Sequence, residues 1–272
     1  MRFLSNVLFG FGLVLLVATA SARDPSDVVL AYGLQEIESP GRDPWKAQAW
    51  VSKYSGPPPL HVRIENGQLV LAHVIGTEQR QFPPRYETSS VRYITSRADG
   101  GYSSQLHAIF KDGKPRKQLA TDVMAIVPRG SELLLFSGTM HMLDAGTIYR
   151  VASPDASPRV SLVTRLPEAP QVIVEDPKSP DRSHLFIVSS SSLMSIGKHD
   201  LLHIHHWDRF WAGNYPNSAV FYEDHLVIAS SVCVVVVKLE QGFVVSTRYF
   251  APKGHSVYLR APPNSSQAAP KR

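Results

Sequence analysis

A weak internal echo at a spacing of 47 residues constrains this chain more than any other feature. Ala125, Val172 and Ala219 occupy equivalent places in three segments that share one layout. Each segment has an apolar strand-like run, a polar turn, a second apolar run ending in small residues, and a third run. The second runs read ELLLFSG (132–138), HLFIVSS (184–190) and HLVIASS (225–231). A repeat of about 40–50 residues built only of strands predicts the radially arranged blades of a β-propeller.

The rest of the chain fits an all-β class. Apolar runs are short, rich in Val, Ile, Leu and Tyr, and separated by Gly, Pro, Asp and Ser, and 21 prolines break any long helical pattern. The clearest unit, 122–168, places strands at 122–127, 132–138, 146–152 and 160–166. The next, 171–216, has runs at QVIVED, HLFIVSS and LLHIHHW (201–207), with its fourth strand read as short or degenerate. The third, 217–251, has four runs. Upstream, 61–66, 67–74, 90–96 and 104–110 read as one divergent unit. Runs such as VCVVVV (232–237) lack alternation, as expected of strands with both faces buried. The small residues that end the second strands suit a crowded place near an axis. Together these features predict a propeller of about five antiparallel four-stranded blades, with four to six as the range. One blade is expected to be shared between the chain ends, closed by VVLAYGL (28–34) or SVYLRAP (256–262). A β-sandwich-like array is the alternative.

The termini read differently from the repeats. Arg2, the apolar run 7–17 and the small residues Ala20-Ser21-Ala22 predict a secretory signal peptide over 1–22, cleaved after Ala22. The run is too short to span a bilayer comfortably. Residues 23–260 then form one propeller domain, and the Pro-, Ser- and Ala-rich 261–272 reads as a disordered tail. The expected location is periplasmic or secreted, with no stable membrane insertion after cleavage. The single cysteine, Cys233, has no partner within the chain and reads as a buried, inert thiol. The formal charge of +5 falls to +4 when Arg2 leaves, and Lys and Arg are scattered. A nucleic-acid partner is therefore not expected, since phosphate affinity needs clustered cations.

Two stretches resemble known propellers. Tyr215-Pro216-Asn217-Ser218, followed by a strand, a turn and a VCVVVVKL strand, resembles the closing part of exported bacterial β-propeller proteins of uncharacterised function. GTIYRV (146–151) is similar to the third strand of NHL and sugar-lactone propellers. The resemblance implies the fold. Its sugar-lactone side implies a calcium-dependent hydrolase with an axial Glu and Asn or Asp ligands. The chain offers Asn214 and Asn217 but no clear ligand set.

Candidate chemistry is sparse. If LLHIHHW is a strand, His203 and His205 share a face, and an i, i+2 His pair holds Zn²⁺ when further ligands join it. Glu175-Asp176 and Glu223-Asp224 end the first strands of their units, and His141 lies at a strand end. In a central funnel these would be acid–base candidates; otherwise they form turns. Trp207, Trp211, Tyr215 and Asn217 are ligand-binding candidates, weighed against packing between blades. No cofactor is expected, with Zn or Ca as the alternative. The resulting expectation is an exported scaffold that binds a protein or small ligand, such as a periplasmic immunity or escort protein. The alternative is a metal-dependent hydrolase or cyclase working in the funnel.

Overall fold

The computed structural model describes residues 24–38, 60–73, 84–97, 104–139, 144–179, 183–207, 216–231 and 233–252. The expected signal peptide, the tail and the 256–262 run lie outside them. The described chain begins with α1 (Pro25–Ala31) and β1 (Leu34–Ile37). Blade 1 has β2 (Leu60–Glu65) and β3 (Gln68–His73). Blade 2 has β4 (Arg85–Glu87), β5 (Val91–Arg97), β6 (Ser104–Phe110) and β7 (Lys117–Thr121). Blade 3 has β8 (Val123–Arg129), β9 (Glu132–Thr139), β10 (Ala145–Ala152) and β11 (Arg159–Leu166). Blade 4 has β12 (Pro170–Glu175), β13 (Leu185–Ser189), β14 (Ser192–Ile196) and β15 (Leu202–Trp207). Blade 5 has β16 (Ser218–Tyr222), β17 (His225–Ala229), β18 (Val234–Glu240) and β19 (Phe243–Pro252).

Each blade is an antiparallel meander, and blades 2, 3, 4 and 5 pack face to face in succession. The unbroken apolar runs follow directly from this. In β18, Val235, Val237 and Leu239 face blade 4, whereas Val234 and Val236 face blade 1. In β13, Phe186 and Val188 face blade 5, and Leu185 and Ile187 face blade 3. In β9, Leu134 and Phe136 face blade 4, and Leu133 and Leu135 face blade 2. A middle strand buried on two sides has no polar positions to alternate with.

The last blade packs on the first. Leu60, Val62, Leu69 and Leu71 of blade 1 pack into one core with Val227, Ala229, Val234, Val236 and Phe250 of blade 5. The last blade therefore covers the first, which the β-sandwich-like array does not require. The first strands β8, β12, β16 and β2 neighbour one another in turn. The fold is a β-propeller of antiparallel blades, five in number among the described residues. β1 adds to the outer edge of β19, so the N-terminal segment completes the last blade. Arg248 of β19 grips Glu36 of β1 in a bidentate pair at 2.9 and 2.7 Å.

Three sequence expectations need correcting. VVLAYGL does not form the closing strand. Asp24 caps a helix there, accepting from the Ser26 N–H at 2.7 Å, with Pro25 in the first turn. The helix buries Val29 against blade 5, and the closing strand starts at Leu34. The 171–216 unit has four strands, not a degenerate set. SLMSI (192–196) is a wholly buried third strand, and LLHIHHW is the fourth. Its serines read as loop in sequence because they are polar, yet the fold buries them. The upstream runs do not form one unit: β2–β3 belong to blade 1, and β5–β6 lie in blade 2.

The small residues at second-strand ends do mark a crowded place. A Cβ on Gly138 would lie 2.7 Å from Pro170 Cδ and 2.8 Å from Ala169 Cβ. The end of β9 thus touches the connection into β12. The fourth strand of every four-stranded blade carries a bulge, at Leu119, Val163, His205 and Val245. Such an extra residue kinks the strand and re-aims a side chain. Only in blade 4 is that residue polar.

Candidate functional site

Polar side chains cluster on both rims of blade 4. On the rim that holds the links between blades, Ser190-Ser191-Ser192 grips two carboxylates presented by blade 3. Buried Glu168 accepts from the Ser191 N–H at 2.9 Å, the Ser192 hydroxyl at 3.0 Å, and the Ser191 hydroxyl. Asp144 accepts from the Ala169 N–H at 2.8 Å and from the Ser190 hydroxyl. Several donors around the buried Glu168 carboxylate repay its desolvation. These serines are joint-makers, which a run of hydroxyls in sequence does not reveal. On the opposite rim, Asp200 accepts from Arg129 at 2.5 Å and from Arg150, tying blades 3 and 4 again.

The second cluster lies on the face of blade 4 turned toward blade 5. Phe186 and Ser195 are opposite one another in the β13–β14 register, and Ser195 is opposite His203 in the next. His184 precedes Phe186 by two residues and so shares its face. His205, two residues after His203 and at the bulge, reaches the Ser195 hydroxyl. The result is a continuous line across the sheet. His184 Nδ1 lies 3.1 Å from Asp176 Oδ2, and His184 Nε2 lies 3.1 Å from the Ser195 hydroxyl. The same hydroxyl lies 2.7 Å from His205 Nε2. Asp176 is held in turn by the Lys178 N–H at 2.9 Å. His205 stacks on Phe186 at 5.4 Å and meets the edge of Phe243 at 6.4 Å. Burial, with His184 and His203 nearby, pulls the His205 imidazole down to about 4.

Asp176–His184–Ser195 has the connectivity of a hydrolytic triad, with the carboxylate on Nδ1 and the hydroxyl on Nε2. However, Ser195 is 0 % exposed, so its oxygen meets no solvent-borne carbonyl in this arrangement. The geometry can hold and move a proton; it does not present a nucleophile.

The other sequence candidates fall in several places. Glu175 and Asp176 lie at the end of β12, and Glu223 and Asp224 occupy the matching β16–β17 turn. The match extends further than the acids. Asp224 Oδ1 lies 2.8 Å from His225 Nδ1, as Asp176 lies beside His184, each His leading into a second strand, but only the Asp176–His184 contact has hydrogen-bond geometry. The HLFIVSS and HLVIASS runs carried this pairing in their first letters. Glu223 takes a positive φ of 56°, a turn position. His203 and His205 do share a face, with ring centroids 6.5 Å apart, but His205 Nε2 is engaged by Ser195. Among the described residues no three His, Cys, Asp or Glu side chains converge to hold a metal ion. Trp207 ends β15, whereas Trp211, Tyr215 and His141 lie outside the described residues. Asn217 accepts from the Ser218 hydroxyl at 2.9 Å, and that hydroxyl accepts from the Val62 N–H at 2.9 Å. This part of the Tyr-Pro-Asn-Ser segment therefore helps link blade 5 to blade 1. Cys233 is buried, which pushes its thiol up to about 12 and leaves it inert at neutral pH.

No protein-family model matches the chain, and no curated protein matches it. Solved structures resemble it loosely. One is virginiamycin B lyase from Staphylococcus aureus, 15% identical over 60% of this chain and 53% of that one, with a TM-score of 0.40. Another is a Lactobacillus plantarum protein, 14% identical over 70% of this chain and 61% of that one, TM-score 0.40. A third, from Thermus thermophilus and titled an oxidoreductase (glucose dehydrogenase), is 15% identical over 80% and 87%, TM-score 0.37. The chain spans about half the length of the first of these. Likenesses this loose carry no argument about activity. Among the described residues no helix is long and apolar enough to cross a membrane.

Proposed function

We infer that the chain is an exported propeller scaffold that binds a protein partner and performs no reaction of its own. The observation that supports this is the apolar rim between the outer strands of blades 4 and 5. Leu201 is 62 % exposed and Phe243 is 63 % exposed, with Val245 at 48 %. β15 and β19 are neighbours, and the His205–Phe243 ring contact spans the two blades. His203 and His205 share the face turned to blade 5. An exposed aromatic flanked by aliphatic side chains on a rigid sheet is the kind of anchor that partners bury. The rigid joints on either side of blade 4 keep that surface fixed, which lowers the ordering cost of binding. Export rests on the leader-like residues 1–22, and places the partner in the periplasm or outside the cell.

The test uses the mature chain, 23–272, immobilised and challenged with the exported proteins of its source cell. A partner retained by the native chain and released by the folded Leu201→Ser/Phe243→Ser double variant supports the reading. Equal retention by both overturns the assignment of this rim. Turnover of a lactone, ester or amide by the native chain that disappears in Asp176→Asn overturns the absence of a reaction.

A further inference from the structure

The line Asp176–His184–Ser195–His205 imposes a strict accounting of protons. Ser195 has one hydroxyl hydrogen and is fully buried, so it donates to one of its two imidazole neighbours and accepts from the other. The carboxylate of Asp176 only accepts, so His184 keeps its hydrogen on Nδ1. Two arrangements satisfy every atom. In the first, His184 is neutral, Ser195 donates to His184 Nε2, and His205 donates from Nε2 to Ser195. In the second, His184 carries hydrogens on both nitrogens, donates from Nε2 to Ser195, and Ser195 donates to His205 Nε2. His205 is then neutral, with its hydrogen on Nδ1. With both rings doubly protonated, the buried hydroxyl faces two donors and its own hydrogen has no acceptor, a costly state.

We propose that these four residues form a one-proton relay, in which a proton arriving at Nδ1 of His205 leaves its Nε2, crosses the Ser195 hydroxyl and settles on His184 beside Asp176. The balance is simple. One N–H bond forms at His205 Nδ1 and one breaks at its Nε2. The Ser195 oxygen gains that hydrogen and gives its own to His184 Nε2. The charge moves from a ring wedged between Phe186 and Phe243 to a ring 3.1 Å from a carboxylate. His205 ends with unchanged charge and the opposite tautomer, so its Nδ1 turns from acceptor to donor.

The surroundings favour this direction. On blade 4 the ionisable groups facing the line are Asp176, His184 and His203. Blade 5 brings Phe221, Val244 and Phe243 against it, and a Cβ added to Gly242 would lie 3.7 Å from His184 Cε1. The charged groups of that blade nearest in register pair among themselves, Asp224 with His225 and Lys238 with Glu240. Burial and the two neighbouring imidazoles hold His205 neutral. The bulge position is apolar in the other three four-stranded blades, at Leu119, Val163 and Val245, so packing alone does not ask for a histidine there. The relay stands whether or not the adjoining rim binds a partner.

Imidazole ¹⁵N–¹H correlation spectra of the histidine-labelled mature chain, recorded from pH 8 to pH 5, test it. The expected result is that His205 swaps from the Nε2–H to the Nδ1–H tautomer in the same step in which His184 becomes doubly protonated. Ser195→Ala should let His184 titrate with the swap lost. Asp176→Asn, which leaves the fold's hydrogen-bonding shape in place, should abolish the swap over the same range. A His205 tautomer that stays fixed through the His184 step overturns the proposal. So does double protonation of both rings in one step, or a His184 that remains neutral down to pH 5.

Discussion

At the scale of single residues, His205 is where local chemistry departs from the repeat. Its folded imidazole lies near 4, below the ordinary value of 6.5. The unfolded chain therefore binds more protons between those values. Stability tied to neutral His205 is complete above about pH 6.5 and is lost as pH falls toward about 4. For a ring that keeps some exposure, the loss is about 2 kcal/mol after solvent screening. His205→Val places in blade 4 the side chain that blades 3 and 5 carry at their bulges. Urea midpoints compared at pH 7 and pH 4.5 should fall less in that variant than in the native chain. An equal fall in both would show that His205 is not the group that titrates. The sequence put His203 and His205 on one face by alternation. It could not place Ser195 between His184 and His205, because those three residues lie on three different strands.

At the scale of elements, the strands were legible where two buried faces left an apolar run, as in β9, β13, β17 and β18. β14 was not, since Ser192 and Ser195 look like loop residues until their partners, Glu168 and His205, are known. The same holds for Ser218. Its hydroxyl accepts the Val62 N–H across the joint between β16 and β2 and is itself buried. Ser218→Ala leaves that N–H without its acceptor and should cost about 1–3 kcal/mol. Chemical denaturation should report this as a lower midpoint with an unchanged slope. A variant as stable as the native chain would mean that the hydroxyl adds nothing to the joint. α1 shows the opposite limit of sequence reading. VVLAYG has strand-like composition, yet the Asp24 cap and Pro25 at the start direct it into a helix that closes over blade 5.

At the scale of the whole molecule, closure depends on the chain ends meeting. β1 covers the outer edge of β19, while α1 and Leu34 complete the core shared by blades 1 and 5. Removing residues 23–38 strips Val29 and Leu34 from that core and uncovers the β19 edge. The expected cost is about 3–5 kcal/mol, and an uncovered edge invites pairing between copies. Thermal melting and size-exclusion chromatography should show a lower Tm and self-association. A monomer with the native Tm would show that β1 and α1 are dispensable. Blades 3 and 4 are held together by side-chain joints, Ser190–Ser192 on Glu168 and Asp144, and Arg129 with Arg150 on Asp200.

By itself the sequence determined the class, the repeat and the approximate blade number, because periodic burial writes directly into the order of apolar and small residues. It also marked the acidic turns at Asp176 and Asp224 as equivalent. Only the tertiary structure decided that the last blade seals against the first, that LLHIHHW is a fourth strand, and that Asp176, His184, Ser195 and His205 form one line. The physical reason is that hydrogen bonds across strands depend on register and bulges. Those are set by packing between blades, which no local run of residues specifies.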